Sequence, residues 1–282
     1  MNKQTLSRRT FLGLVGTGAL LVACRPPMST SAVPKMNEIM IKGNEYAYDM
    51  PAETPAGLTL VRWENTGKEL HHAQLARLND GITFEQFTGA LPKGESAIMP
   101  LLTFVGGPGA VGPTGKGEVM IDLQEGQYIV ICFIPDAQNV PHLAKGMLHP
   151  MKVTSNAGIK MAEPKADLEV PMMDFHFALP TEVKPGKQVW KVINQGPQPH
   201  EVALLKLAEG KTMEDVGKFF AKPEGAPPFE AIAGMQGLSI GKYAYLNLDL
   251  KPGTYAALCN ISDPASGKAH LELGMVHLFT VK

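Results

Sequence analysis

Short runs of β-branched and aromatic residues alternate with glycine- and proline-containing turns along most of the chain. Residues 58–63 and 189–193 are runs of this kind, and each is followed by a turn that contains asparagine and glycine. Residues 128–131 and 255–258 are two more, and each follows a turn that contains glycine. Such runs are typical of β-strands bounded by turns. The pattern predicts an all-β chain, with roughly six to eight strands packed as a β-sandwich in each half.

Two segments depart from this strand pattern because they carry helix-start signals. Thr83 and Thr212 are suitable N-cap residues, and each is followed by acidic residues within one turn. They predict one short helix in each half. Residues 104–117 are rich in glycine and proline and have no regular period, so they predict a loop.

The second half of the chain repeats the spaced motifs of the first half. Each half contains Asn-x-Gly-x-x-x-His, then Gly-x-Tyr-x-x-x-Cys, and then His-x-x-x-Gly-Met. A long internal repeat indicates two similar structural units. It predicts two tandem domains, at residues 38–155 and 165–282, joined by a polar stretch.

The motifs supply the same four residue types in the same order in each half. The first set is His71, Cys132, His142 and Met147, and the second set is His200, Cys259, His270 and Met275. Two imidazoles, one thiolate and a weak thioether are the donors of a type 1 copper site. The sequence therefore predicts up to two type 1 copper ions per chain. A disulfide between Cys132 and Cys259 is the alternative use of these two thiols, because an exported protein meets oxidising surroundings.

The N-terminus has the features of an export signal. Arg8 and Arg9 precede an apolar run that is too short to span a membrane, as in twin-arginine signals. Leu21-Val22-Ala23-Cys24 resembles a bacterial lipobox, so we expect a signal peptide at residues 1–23, lipidation of Cys24 and a tether at residues 24–37. The alternative is an ordinary cleaved signal with an incidental cysteine. These features predict a lipoprotein, anchored through its lipid on the periplasmic or extracytoplasmic face of a bacterial membrane.

The charge of the chain gives no support to nucleic acid as a partner. The full sequence has a formal net charge of −1, and loss of residues 1–23 removes three basic and no acidic residues, which leaves −4. A mildly acidic chain lacks the excess of basic residues that phosphate backbones attract.

The spaced motifs resemble those of the cupredoxins, the blue copper proteins that include plastocyanin and azurin. The resemblance covers about residues 37–282 and is specific at the ligand positions. It implies a Greek-key β-sandwich in each half, with copper at one end and electron transfer as the activity. It also implies that His142 and His270 are the electron ports. The partners it implies are redox proteins, such as a cytochrome or a membrane electron-transfer complex.

The positions beside the two cysteines differ from those of copper enzymes built from cupredoxin domains. Copper nitrite reductases have a histidine, a type 2 copper ligand, directly before the type 1 cysteine, whereas this chain has Ile131 and Leu258. Multicopper oxidases use a His-Cys-His arrangement, which Phe133 and Asn260 break. We therefore expect no catalytic copper, and the chain is predicted not to be an enzyme.

Three functions are open on this evidence. The leading one is a membrane-tethered blue copper protein that carries single electrons through one type 1 site per domain. The second is an extracytoplasmic copper-binding or delivery protein without redox turnover. The third is a cupredoxin scaffold that has lost its metal. The loops between cysteine and histidine, residues 133–141 and 260–269, are longer than in small carriers of the family and leave room for the third function.

Overall fold

A computed structural model describes residues 36–156, 161–222 and 224–282 of the chain. The predicted signal peptide and Cys24 lie outside the described residues, as does all but the last part of the predicted tether. The described residues belong to one compact unit, Pro34–Lys282. None of the helices in these ranges is long and apolar enough to cross a membrane.

The described ranges consist mainly of β-strands, with three short α-helices. The strands are β1 (Asn37–Asn44), β2 (Ala47–Asp49), β3 (Glu53–Pro55), β4 (Gly57–Asn65), β5 (Gln74–Leu78), β6 (Leu102–Gly106), β7 (Lys116–Leu123), β8 (Gly126–Ile131), β9 (Leu148–Thr154), β10 (Leu168–Met173), β11 (His176–Phe177), β12 (Glu182–Val183), β13 (Gly186–Asn194), β14 (His200–Leu207), β15 (Phe229–Leu238), β16 (Tyr243–Leu250), β17 (Gly253–Leu258) and β18 (Val276–Val281). The helices are α1 (Phe84–Ala90), α2 (Glu95–Ile98) and α3 (Met213–Ala221). Four 3-10 turns complete the regular structure: Leu91–Lys93, Met99–Leu101, His142–Lys145 and His270–Leu273.

The strands form two sheets, and each half of the chain contributes to both. The eight-stranded sheet has the order β11-β10-β13-β16-β7-β4-β1-β2. The ten-stranded sheet has the order β12-β18-β17-β14-β15-β6-β5-β8-β9-β3. The prediction of an all-β sandwich is therefore confirmed.

The two halves use the same strand pairings. β1 is parallel to β4 in the first half, and β10 is parallel to β13 in the second. Trp63 on β4 and Trp190 on β13 are each 1% exposed and lie in the core between the sheets. Alternate residues of a strand face opposite sides of the sheet. Residues at equivalent motif positions in the two halves therefore face the core in the same way.

The two halves meet along a continuous strand seam. β6 pairs with β15 through Val105 and Leu238 in one sheet, and β7 pairs with β16 in the other. The prediction of a loop at residues 104–117 is wrong at both ends of this segment, because β6 and β7 extend into it. Its middle forms part of the seam: the Gly109 N–H donates to the Gly234 carbonyl at 2.9 Å. A Cβ on Gly109 would lie 2.6 Å from the Gly234 Cα, so this approach requires a residue without a side chain.

The two predicted helices are confirmed, and their caps explain where they begin. The Thr83 and Thr212 side chains each accept a hydrogen bond from the backbone N–H three residues later, in a complete capping box. Phe87 of α1 and Val216 of α3 are buried against the outer face of the ten-stranded sheet. The helices thus cover that face and leave the space between the sheets to the core that holds the candidate ligands.

Candidate metal centres

The Asn-x-Gly motif forms a turn that fixes the upstream histidine of each half. The buried Asn65 amide donates to the Glu69 carbonyl at 2.7 Å and to the Val111 carbonyl at 2.9 Å, and its Oδ1 accepts from the Gly67 N–H at 2.9 Å. Asn194 makes the equivalent three bonds in the second half. The side chain therefore replaces strand hydrogen bonds where the chain turns before the histidine.

The segment from cysteine to methionine is closed by its own backbone. The Cys132 N–H donates to the Met147 carbonyl at 3.2 Å, and the Cys132 carbonyl accepts from the Leu143 N–H at 2.9 Å. His142 begins a 3-10 turn that ends at Gly146, whose φ of 101° is left-handed. The same bonds recur between Cys259 and Met275, with a 3-10 turn from His270 to a left-handed Gly274. Cysteine, histidine and methionine are thus held together by one loop that its own backbone hydrogen bonds close.

These two loops complete two clusters of potential ligands. The first cluster is His71, Cys132 and His142, and the second cluster is His200, Cys259 and His270. All six side chains are fully buried, and in each cluster the ligand atoms lie within 4.8 Å of one another. The cluster histidines include His71 and not the neighbouring His72.

The same atoms face inward in both clusters. The two histidine Nδ1 atoms are 3.0 Å apart in the first cluster and 3.1 Å apart in the second. The cysteine Sγ lies 3.5 Å from Nδ1 of His142 and 3.4 Å from Nδ1 of His270. Two nitrogens bound about 2.0 Å from one small metal ion, at an angle near 100°, are separated by roughly 3.1 Å. The donor spacing therefore fits a shared metal ion.

The outer hydrogen bonds of the second cluster strengthen this fit. His200 Nε2 lies 2.9 Å from the Asp174 carboxylate, and His270 Nε2 lies 3.0 Å from Gln198 Oε1. The Gln198 amide nitrogen donates to Asp263 at 3.1 Å, so its oxygen is the atom that faces His270. Both outer nitrogens must then carry the ring proton of a neutral imidazole, which leaves two bare Nδ1 lone pairs facing each other. A cation between them relieves that repulsion.

The first cluster differs in its outer contacts. His142 Nε2 donates to the Glu69 carboxylate at 2.9 Å, whereas His71 Nε2 is buried without a hydrogen-bond partner among the described residues. Glu69 and Gln198 occupy equivalent positions, two residues before the motif histidine, so one cluster has a carboxylate where the other has an amide. His142 and His270, the expected electron ports, are both fully buried behind these side chains.

Met147 and Met275 are fully buried and belong to the same core cluster as the two cysteines. Their backbone bonds to Cys132 and Cys259 place each methionine directly beside the cysteine of its own half. The structure thus brings the four predicted residue types of each half into one region of the core.

Burial controls the protonation of the donors. It raises the pKa of the Cys132 thiol to about 11 and that of the Cys259 thiol to about 12. It also lowers the pKa of His71, His200 and His270, which favours the neutral imidazoles that bind metals. Both cysteines are free, and each lies in its own cluster, so the alternative of a Cys132–Cys259 disulfide is not observed.

Two side chains that the sequence motifs did not identify hold the residue after each cysteine. His72 is buried, and its Nε2 accepts a hydrogen bond from the Phe133 N–H at 2.7 Å. At the equivalent position, the Glu201 carboxylate accepts from the Asn260 N–H at 3.1 Å. Burial lowers the pKa of His72 to about 4 and raises that of Glu201. The signal available in the sequence was a polar residue directly after the motif histidine in both halves.

Comparison with known proteins gives similarity only to solved structures. No protein-family model and no curated protein matches the chain. Auracyanin A, a blue copper protein from Chloroflexus aurantiacus, is 21% identical over 43% of this chain and 100% of its own, with a TM-score of 0.29. A multicopper oxidase is 15% identical over 87% of this chain and 88% of its own, with a TM-score of 0.25. A copper-containing nitrite reductase from Thermus scotoductus is 13% identical over 87% of this chain and 61% of its own, with a TM-score of 0.25.

The last two similarities overturn the prediction that the chain is not an enzyme. Both proteins are copper enzymes, and each matches most of this chain. The exclusion depended on the residues beside Cys132 and Cys259, which argue only against a second copper ligand at those positions. Catalysis at another place in the chain does not require a histidine there, so the exclusion is withdrawn. The TM-scores are too low to assign an activity in its place.

Proposed function

We propose that this protein binds two copper ions in type 1 sites and transfers single electrons through them. His71, Cys132, His142 and Met147 would hold one ion in the domain predicted at residues 38–155. His200, Cys259, His270 and Met275 would hold the other in the domain predicted at residues 165–282. The observation that carries the proposal is the pair of fully buried His₂Cys clusters, whose inward Nδ1 atoms lie 3.0 and 3.1 Å apart.

The donor set favours copper among the common metal ions. Thiolate and thioether sulfur stabilise Cu(I), whereas imidazoles suit both oxidation states. Copper would supply a one-electron couple at each site. The chain's own residues would hold the donors in place, exclude water and fix the ring orientations through Glu69, Asp174 and Gln198.

Burial supports electron transfer over copper delivery. A delivery protein must pass its ion to the ligands of a partner, which requires at least one ligand that the partner can reach. All six cluster side chains are fully buried, and the loop histidines are covered by hydrogen-bonded side chains. Electrons can tunnel through such a cover, whereas an ion cannot leave without opening it. Complete donor sets in both halves also argue against a scaffold that has lost its metal.

The proposal is tested by redox titration of the copper-loaded protein with an optical readout. We expect two reversible one-electron couples, each accompanied by bleaching of a thiolate-to-copper absorption band. Cys132→Ser should remove one couple and keep the other, and Cys259→Ser should do the converse. A protein that binds only Cu(I) and shows no reversible couple would favour delivery and reject the proposal.

We further propose that the protein works on the extracytoplasmic face of a bacterial membrane, anchored through a lipid on Cys24. Its partners would be redox proteins of that membrane. Cell fractionation tests the anchor: the unmodified protein should sediment with membranes, and Cys24→Ser should move it to the soluble fraction. Unchanged membrane association of the variant would contradict lipidation of Cys24.

A further inference from the structure

A hydrogen-bond chain links the first cluster to the second half of the protein. His72 directly follows the cluster residue His71, and its Nε2 accepts from the Phe133 N–H at 2.7 Å. Its other ring nitrogen, Nδ1, is hydrogen-bonded to Oε1 of Gln236 on β15. His72 and Gln236 are both buried, at 6% and 5% exposure, so water does not compete for these bonds. The residue beside Cys132 is therefore tied through one imidazole to the other half.

The ring proton of His72 has one possible position. Because Nε2 accepts from a backbone N–H, it cannot carry a proton, and the proton of the neutral ring must be on Nδ1. Nδ1 needs an acceptor, and Gln236 Oε1 supplies it. Gln236 thus selects the His72 tautomer that can hold Phe133.

A second connection places the same part of β15 next to the first cluster. The backbone of His71 forms two hydrogen bonds with Val111, of 2.9 and 3.2 Å. The segment that leads to Val111 is bound to β15, because the Gln236 N–H donates to the Gly107 carbonyl at 2.8 Å and Gly109 bonds to Gly234. Gln236 is therefore fixed by its backbone as well as by its side chain.

The second cluster has no equivalent link among the described residues. There Glu201 takes the place of His72 and accepts from the Asn260 backbone and side-chain amides, both at 3.1 Å, entirely within the second half. The position equivalent to Gln236 is Gly109, since each lies two residues before the carbonyl that accepts from the motif asparagine. Glycine has no side chain to reach across the seam.

We propose that Gln236 is a positioning residue for the first metal site. It acts across the seam by orienting His72, which in turn holds the loop that starts at Cys132. The first site is then assembled by both halves, whereas the second site is assembled by its own half. This inference deepens the proposed function and rests on it for the copper measurements.

The test compares Gln236→Met, which keeps side-chain length and removes the acceptor, with Ser239→Ala. Ser239 Oγ accepts from the Phe104 N–H at 2.9 Å, so its loss also breaks a bond across the seam but does not touch His72. Each substitution is made in a Cys259→Ser background, which leaves the first site, and in a Cys132→Ser background, which leaves the second. The copper spectrum and the reduction potential are measured in all four proteins. Hydrogen exchange at Phe133 is measured in the metal-free proteins that retain Cys132.

We expect Gln236→Met to shift the absorption band and the potential of the first site and to leave the second site unchanged. Exchange at the Phe133 amide should become at least about tenfold faster, as expected when a buried polar group loses its partner. Gln236→Glu, which keeps an acceptor oxygen, should restore slow exchange. Ser239→Ala should change neither site.

Three results would overturn the inference: an unchanged first site in Gln236→Met, equal changes at both sites, or a shift of the first site in Ser239→Ala that equals the shift in Gln236→Met. Failure of the proposed function would look different, because the parent proteins would then show no reversible copper couple. The exchange measurement needs no copper and would still decide whether Gln236 holds the loop.

Discussion

Exchanging the carboxylate and amide behind the loop histidines should move the potentials of the two proposed copper sites in opposite directions. Glu69 accepts from His142 Nε2 at 2.9 Å, and Gln198 occupies the same position behind His270 at 3.0 Å. Glu69→Gln removes a negative charge from the first site. Gln198→Glu adds one to the second at a pH high enough to ionise the new carboxyl, which replaces the amide that donates to Asp263. A nearby carboxylate stabilises the more positive oxidised ion, so Glu69→Gln should raise the potential and Gln198→Glu should lower it.

The magnitude follows from the distance between the carboxylate and the ion. The hydrogen bond, the imidazole ring and one metal–nitrogen bond add up to about 7 Å, at which two unit charges interact by about 2.4 kcal/mol at an effective dielectric constant near 20 and about 0.6 kcal/mol in water. The Glu69 side chain is 40% exposed, so solvent screening places the effect between these limits. About 1 kcal/mol corresponds to about 40 mV for a one-electron couple.

The assay is a spectroelectrochemical titration in single-site backgrounds. Glu69→Gln is measured in Cys259→Ser and Gln198→Glu in Cys132→Ser, with each background alone as the control. The shifts should shrink when the salt concentration is raised, because the carboxylate at position 69 is partly exposed. Shifts of the same sign in both variants, or shifts within the error of the titration, would refute the electrostatic reasoning.

Three further predictions concern stability and loading. Phe87 is fully buried, so Phe87→Ala should lower the free energy of unfolding by about 3–5 kcal/mol. Phe220 is 51% exposed, so Phe220→Ala should change it by less than about 1 kcal/mol. Urea titration measures both free energies, and equal losses would contradict the packing of α1. Copper binding should release one proton per ion between pH 7 and 9, because the pKa values of Cys132 and Cys259 are raised to about 11 and 12 and each thiol must lose its proton. The dissociation constant should therefore fall about tenfold per pH unit, and a pH-independent constant would show that the thiols are not ligands. Asn65→Ala should weaken copper retention in the first site alone by about 1–3 kcal/mol, since the Glu69 carbonyl and the buried Gly67 N–H both lose their hydrogen-bond partner. Competition with a chelator measures this loss, and equal loss at both sites would point to general unfolding.

The sequence carried enough information to predict what depends on local structure. The caps at Thr83 and Thr212 act within one turn, and the spacing from Cys132 to Met147 is set by a loop closed by its own backbone. The approach to His71 is an asparagine turn whose three bonds lie mostly within the motif. Such features are read from short segments because short segments determine them.

What could not be predicted depends on partners distant in sequence. The residues at 104–117 have no strand period, yet both ends of the segment become strand because β5 pairs with β6 and β4 pairs with β7. The middle of the segment bonds to β15, more than a hundred residues later. The contact between His72 and Gln236 has no local signal either. The exclusion of enzymatic activity failed for a different reason. It was drawn for the whole chain from only two positions beside the cysteines.

Whether the two clusters are type 1 copper sites is decided first by the copper content of the protein together with its visible spectrum. We expect two copper ions per chain and an intense thiolate-to-copper band that a reductant bleaches. We also expect one ion in each single cysteine variant and none at these sites in the double variant Cys132→Ser, Cys259→Ser. Equal copper content in the unmodified protein and the double variant, or no thiolate-to-copper band, would contradict the assignment of the two clusters as type 1 copper sites.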